Sequence, residues 1–224
     1  MKANKSDLAI ATLTRIIALV PNSVRAYTER GRAYRFKMDL RNALADYDKA
    51  VAIDDNNVSA LLLRGYLLGD MRNSPKAIAD CERVMRLAPT DARGIHCRGL
   101  AHARGRNWAT AIEDLTKAIN IVGKPLTVAA SGYYWRGQCY FETDAYESAI
   151  SDADKALAVD PQWADIMVLK GNALLAKGAI DQALAEFERA LKVQRDNTDA
   201  MVGHSAALIA KGLQQYKAGK DKKG

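Results

Sequence analysis

The sequence predicts an all-α fold, a solenoid of stacked antiparallel helix pairs, and three observations carry that expectation. A skeleton first seen as Tyr27, Gly31, Tyr34, Ala43, Tyr47 and Ala50 returns four more times downstream, at a period of 34 residues with one exception. Glycine and alanine recur at two fixed places in every copy. Turn-forming residues fall between the copies, as in Asp54–Asn57, Ala88–Asp91 and Asp160–Gln162. Self-similarity at this period is the mark of a repeat array, in which each unit buries its apolar face only by stacking on its neighbours.

Taken in order, residues 1–23 read as the second half of a unit. Ala9, Ile10, Leu13, Ile16, Ile17 and Leu19 sit at helical spacing and stop at Pro21. Either the array opens on this half unit, or the chain continues upstream, where an export signal or anchor could then lie. Full units follow at 24–57, 58–91, 92–129, 130–163 and 164–197, the third lengthened by four residues at 122–125. Residues 198–216 look like the first helix of a sixth unit, with Met201, Ser205 and Leu208 capping the fifth; residues 217–224 read as a basic disordered tail.

Each unit divides into two helices. With units numbered internally from 1, positions 4, 8 and 11 hold Tyr27, Gly31 and Tyr34 in the first copy and Met167, Gly171 and Leu174 in the fifth. Spacings of four and three place such a trio on one helical face. Positions 20, 24 and 27 of the second helix hold Ala43, Tyr47 and Ala50, then Ala77, Cys81 and Val84, and so on to Ala183, Phe187 and Ala190. Glycine within a helix costs about 1 kcal/mol relative to alanine, so its return at position 8 implies close helix packing. Asn73 or Ser74 before Pro75 predicts a helix start with proline in the first turn.

Charge follows the same period. Position 7 is Arg30, Arg64, Arg98, Arg136 and Lys170, while position 23 is Asp46, Asp80, Asp114, Asp152 and Glu186. In a hairpin turning near position 15 these stand at similar height, which predicts a ladder of ion pairs bordering the core.

These residues and this period resemble the tetratricopeptide repeat family over almost the whole chain. The large residue at position 4 is never tryptophan, and the family's proline at position 32 gives way to Asp55 and Arg195. The resemblance implies a right-handed superhelix whose first helices line a concave groove through positions 2, 5, 9, 12 and 13. It would bring there Arg25, Thr28, Arg32, Arg35 and Phe36; Leu62 and Tyr66; Arg93, His96, Leu100 and Arg104; Tyr134, Gln138, Phe141 and Glu142; and Asp165, Val168, Asn172 and Lys177. Such a groove has a basic entrance and an apolar, aromatic middle. The implied role is a non-catalytic scaffold binding a peptide or partner protein that carries acidic and apolar residues. Family members that capture chaperone C-termini use a Lys and Asn clamp; Asn172 at position 9 has no lysine at position 5, which disfavours that ligand.

Other chemistry finds little support. The net charge is +7, and residues 1–110 hold 19 Lys and Arg against 11 Asp and Glu, so the alternative partner is single-stranded RNA on the basic half of the groove, with Tyr66 and Tyr134 for stacking. His96, His102 and His204 lack metalloprotease spacing, and the isolated glycines form no phosphate-binding loop, so an enzyme is not expected and neither a cofactor nor a metal is called for. Cys81, Cys97 and Cys139, odd in number and without a CxxC pair, suggest buried thiols in a reducing, cytoplasmic setting. No run is long and apolar enough to span a membrane. The unpaired first helix offers a surface for self-association.

Overall fold

The computed structural model describes residues 2–121 and 126–221, and every regular element among them is helical. The chain divides into two compact units, 1–124 and 125–224. The first holds α1 (Lys2–Leu19), α2 (Val24–Phe36), α3 (Leu40–Ile53), α4 (Val58–Asp70), α5 (Ser74–Leu87), α6 (Ala92–Arg104) and α7 (Trp108–Asn120). The second holds α8 (Leu126–Glu142), α9 (Tyr146–Val159), α10 (Ala164–Ala176), α11 (Ile180–Val193) and α12 (Thr198–Asp221). In both, each first helix packs against its own second helix and the next pair stacks on it.

The turns inside the repeats share one device. Position 15 takes a left-handed conformation in all five: Met38, Arg72, Arg106 and Asp144 at φ of 57–62° and Gly178 at 79°. The amide three residues past the helix end then reaches back to the last turn, as Asp39 N–H does to the Tyr34 carbonyl at 3.0 Å and Asn73 N–H to Leu68 at 2.8 Å. This is the Schellman closure, which satisfies carbonyls the helix leaves open. Starts are capped by side chains at Ser23, Asp39, Asn57 and Asp91. Asn73 stands at the start of α5 without a side-chain cap, and proline occupies the first turn.

Packing follows the repeat positions. Residues at positions 20, 24 and 27 are fully buried in every repeat, from Ala43, Tyr47 and Ala50 to Ala183, Phe187 and Ala190. The glycine opposite makes room: a Cβ on Gly31 would lie 2.5 Å from the Tyr47 ring, and one on Gly171 would lie 2.7 Å from Phe187. Burying each such aromatic contributes on the order of 2 kcal/mol.

The ion-pair ladder is present, and it is bidentate wherever arginine supplies the cation. Arg30 donates to Asp46 at 2.7 and 2.8 Å, Arg64 to Asp80 at 2.7 Å twice, Arg98 to Asp114 at 2.8 and 2.9 Å, and Arg136 to Asp152 at 2.7 and 2.8 Å; Lys170 meets Glu186 at 2.9 Å. A second row of carboxylates, from position 25 of the preceding repeat, joins it: Arg64 also reaches Asp48 at 2.9 Å, Arg98 reaches Glu82 at 3.4 Å and Lys170 reaches Asp154 at 2.8 Å. Hydrogen bonding to Asp46, Asp80, Asp114 and Asp152 outweighs burial and raises the four guanidiniums above their ordinary pKa. For Lys170, burial is the largest influence and lowers the pKa, but Asp154 and Glu186 together reverse it.

Three features depart from expectation. Cys81 on α5 and Cys97 on α6 form a disulfide with Cα atoms 5.6 Å apart, whereas an odd cysteine count without CxxC spacing argued for free thiols. Position 24 of one repeat faces position 6 of the next, and Gly65 leaves space for both sulfurs, a Cβ there lying 3.0–3.2 Å from them. Cys139 alone is a free, buried thiol, its pKa pushed up to about 12, chiefly by burial. Helix α8 begins at Leu126, four residues ahead of the reckoned start of its repeat, while the extra residues 122–125 lie outside the described ones. Finally, α12 continues to Asp221 rather than ending at Tyr216, so 217–221 are helical and 222–224 fall outside the described residues. Leu8 and Leu19 on α1 and Val20 just after it are exposed. No described helix is long and apolar enough to cross a membrane.

Candidate functional site

In the first unit α2, α4 and α6 lie side by side, and positions 2, 5, 9, 12 and 13 of these helices are the ones expected on their shared face. Residues Thr28, Leu62, His96 and Leu100 are all under a tenth exposed, so they fill the seams between helices and offer a partner little surface. Thr28 turns its hydroxyl to the Arg25 carbonyl at 2.9 Å. The His96 ring bonds the Tyr66 hydroxyl through Nδ1 at 3.0 Å, and the two rings meet edge to face. Burial, helped by the nearby Arg104 charge, holds the His96 pKa down at about 4, so the imidazole is neutral at pH 7. Burial likewise pushes the Tyr66 phenol well up.

The arginines of this face are largely matched. Arg35 and Arg104 grip the two oxygens of Asp70 at 2.6 and 2.5 Å. Arg93 is held by Asp91 at 2.6 Å and Arg32 by Glu29 at 3.1 Å, while Arg25 lies exposed. Burial pulls the Arg104 pKa down, with Asp70 opposing and Arg35 adding to the fall. Four of these five arginines thus meet three carboxylates, and the face keeps a modest positive excess rather than an open basic track. Spacing within one repeat does not reveal this, because Asp70 serves arginines from the repeats on either side of it.

In the second unit the corresponding face is formed by α8, α10 and α12. Tyr134, Gln138, Asp165, Val168, Leu169, Asn172, Asp199 and Val202 line a cavity of about 350 Å³ there. Gln138 donates to the Tyr134 hydroxyl at 3.2 Å. The Tyr134 ring lies 5.2 Å from Trp163 and 5.5 Å from Trp135, so an aromatic wall borders the cavity. Asp165 accepts a long hydrogen bond from Asn197 at 3.4 Å. Phe141 packs on Tyr146 at 5.7 Å, toward the far end of α8. The expected residues Tyr134, Gln138 and Asn172 come together here; Asp199 and Val202 belong to α12, which the sequence identified only as a cap.

No described group of three or more His, Cys, Asp and Glu is placed to hold a metal ion. Elements and faces of this kind define a helical-repeat protein that presents ordered first-helix surfaces. A tetratricopeptide repeat model matches residues 1–58 and 98–165, more than half of the chain, and a second model of that description matches 140–211. The chain belongs to the tetratricopeptide repeat family. Comparison with curated protein sequences finds no match. Among solved structures, it resembles the APC/C hetero-tetramer Cut9–Hcn1 with a TM-score of 0.82 at 17% identity, over 92% of this chain and 40% of that one. It is also similar to MamA, at 28% identity and a TM-score of 0.57 over 77% of this chain and 92% of that one. YrrB, described as a tetratricopeptide repeat protein with an unusual peptide-binding site, is 19% identical with a TM-score of 0.57, over 86% and 97% of the two chains.

Proposed function

We infer that the chain is a non-catalytic scaffold that binds peptides or partner proteins on the faces shared by its first helices. The observation that carries this reading is the division of labour within the repeats. Positions 20, 24 and 27 are spent wholly on packing, whereas Arg25, Arg32, Arg35 and Arg93 in the first unit and Tyr134, Gln138 and Asn172 in the second keep exposed or half-exposed surface on those faces. A structure of the same fold, YrrB, has a peptide-binding site.

On the first unit the arginine excess suits a segment that alternates acidic and apolar residues. A fluorescein-labelled dodecapeptide alternating glutamate and leucine is expected to bind the full chain, read by fluorescence anisotropy. Arg32→Glu combined with Arg93→Glu should weaken it by about tenfold, a loss of ~1.4 kcal/mol, with the circular-dichroism melt unchanged. Equal affinity before and after the two changes would remove the first-unit face from the model. The pairing of Arg32, Arg35, Arg93 and Arg104 with carboxylates weighs against single-stranded RNA, which needs unmatched cations along the strand. Tight oligouridine binding with a steep salt dependence in a filter assay would reverse that judgement.

A further inference from the structure

We propose that the cavity among α8, α10 and α12 is an arginine site, taking a guanidinium side chain from an extended peptide. This rests on the peptide-scaffold reading and goes beyond it by giving the second unit a ligand chemistry opposite in sign to that of the first. Two carboxylates, Asp165 and Asp199, line the cavity and no lysine, arginine or histidine does. Asp165 has only the long bond from Asn197, and Asp199 has no hydrogen bond or ion pair among the described residues. Three carboxylates elsewhere on the repeat surfaces are matched by the chain's own cations: Asp70 has two arginines, Asp91 has Arg93 and Glu147 has Lys177.

Acidic residues in the first turn are stabilised by the helix dipole, and Glu147 of α9 and Asp181 of α11 sit there as well as Asp165 and Asp199. Among the first helices of the repeats, however, α2, α4, α6 and α8 carry none there, while α10 and α12 each carry one and both open on this cavity. A second feature independently favours a planar cation: the wall beside the carboxylates is the Tyr134 ring, backed by Trp163. Aromatic faces attract guanidinium, which stacks on them and has five N–H donors and no acceptor. The cavity answers with acceptors, from the two carboxylates and the amide oxygens of Gln138 and Asn172. Lysine, a compact and strongly hydrated charge, would use the carboxylates but not the wall.

The test selects peptides from a phage-displayed library of random dodecapeptides on the intact 224-residue protein and, in parallel, on Asp165→Asn/Asp199→Asn, a pair of exposed changes whose folding is checked by thermal melt. Arginine should be enriched in the peptides recovered on the natural chain and not on the variant. The best of them should lose about tenfold in affinity when its arginine becomes citrulline, which keeps the shape and removes the charge. Tyr134→Leu should lower the preference for arginine over lysine. Peptides recovered without arginine enrichment, or an enrichment that survives the double change, overturn the arginine site and leave the scaffold standing. Recovery of no peptide by either protein overturns both.

Discussion

At the scale of single residues, His96 shows how burial turns a candidate ligand contact into a structural group. The ring is 4% exposed, bonded to Tyr66, and its pKa is lowered from 6.5 to about 4, first by burial and then by Arg104. In the unfolded chain the same ring titrates near 6.5. Above that pH both states are neutral and the full stability is present. As pH falls below 6.5 the unfolded state takes up a proton that the folded state refuses, and stability is lost down to the folded value near 4. Between pH 7 and 5.5 the natural chain should therefore lose about 1 kcal/mol relative to a His96→Gln variant, before carboxylates begin to titrate. Urea denaturation of the two proteins at both pH values reads this directly; parallel losses would show that His96 is not protected from protonation. Position 5 of the repeat identified His96 as facing outward, and what that placement lacked was its neighbour. The seam between α4 and α6 is closed by Tyr66 from the adjacent repeat, and no count within one unit shows it.

At the scale of elements, the disulfide joins α5 to α6 and so staples two successive repeats. Cys81 and Cys97 are 16 residues apart, and closing a loop of that size stabilises a chain by about 3 kcal/mol when the unfolded state alone is constrained. The denatured, non-reduced chain should titrate one thiol, from Cys139, and three after reduction. The reduced protein should melt several degrees lower, since ~1 kcal/mol moves the midpoint of a domain this size by about 2–4 °C. Three thiols before reduction would mean that the bridge is not formed. The pairs of helices, their turns and the ladder of opposite charges were legible because each is written five times, and repetition separates a rule from an accident. The bridge is written once, and its partners come from different repeats. The same reason hid the Asp70 clasp on Arg35 and Arg104 and the second carboxylate row at Asp48, Glu82 and Asp154.

At the scale of the whole chain, the question is whether the charges that hold the repeats together are separable from those that meet a partner. The ladder carboxylates are almost wholly buried, Asp114 at 1% and Asp80 at 6% exposed, and they contact the arginines of position 7, not those of the first-helix faces. Removing one leaves a partly buried guanidinium short of a partner, a cost of about 3–5 kcal/mol where no other carboxylate is at hand. Arg64 keeps Asp48 at 2.9 Å, so Asp80→Ala should fall below that range, at about 2 kcal/mol, and the midpoint should drop accordingly in a thermal melt. Asp70 is different in kind: it sits on the first-helix face and neutralises two arginines there. If the roles are separate, Asp80→Ala destabilises the protein and leaves the affinity for the alternating Glu–Leu peptide unchanged at a temperature where both proteins are folded. Asp70→Asn does the reverse in sign, strengthening that binding by releasing Arg35 and removing a negative charge from the face. A fall in peptide affinity with Asp80→Ala at unchanged stability would place the ladder on the binding surface and collapse the distinction between bracing and recognition.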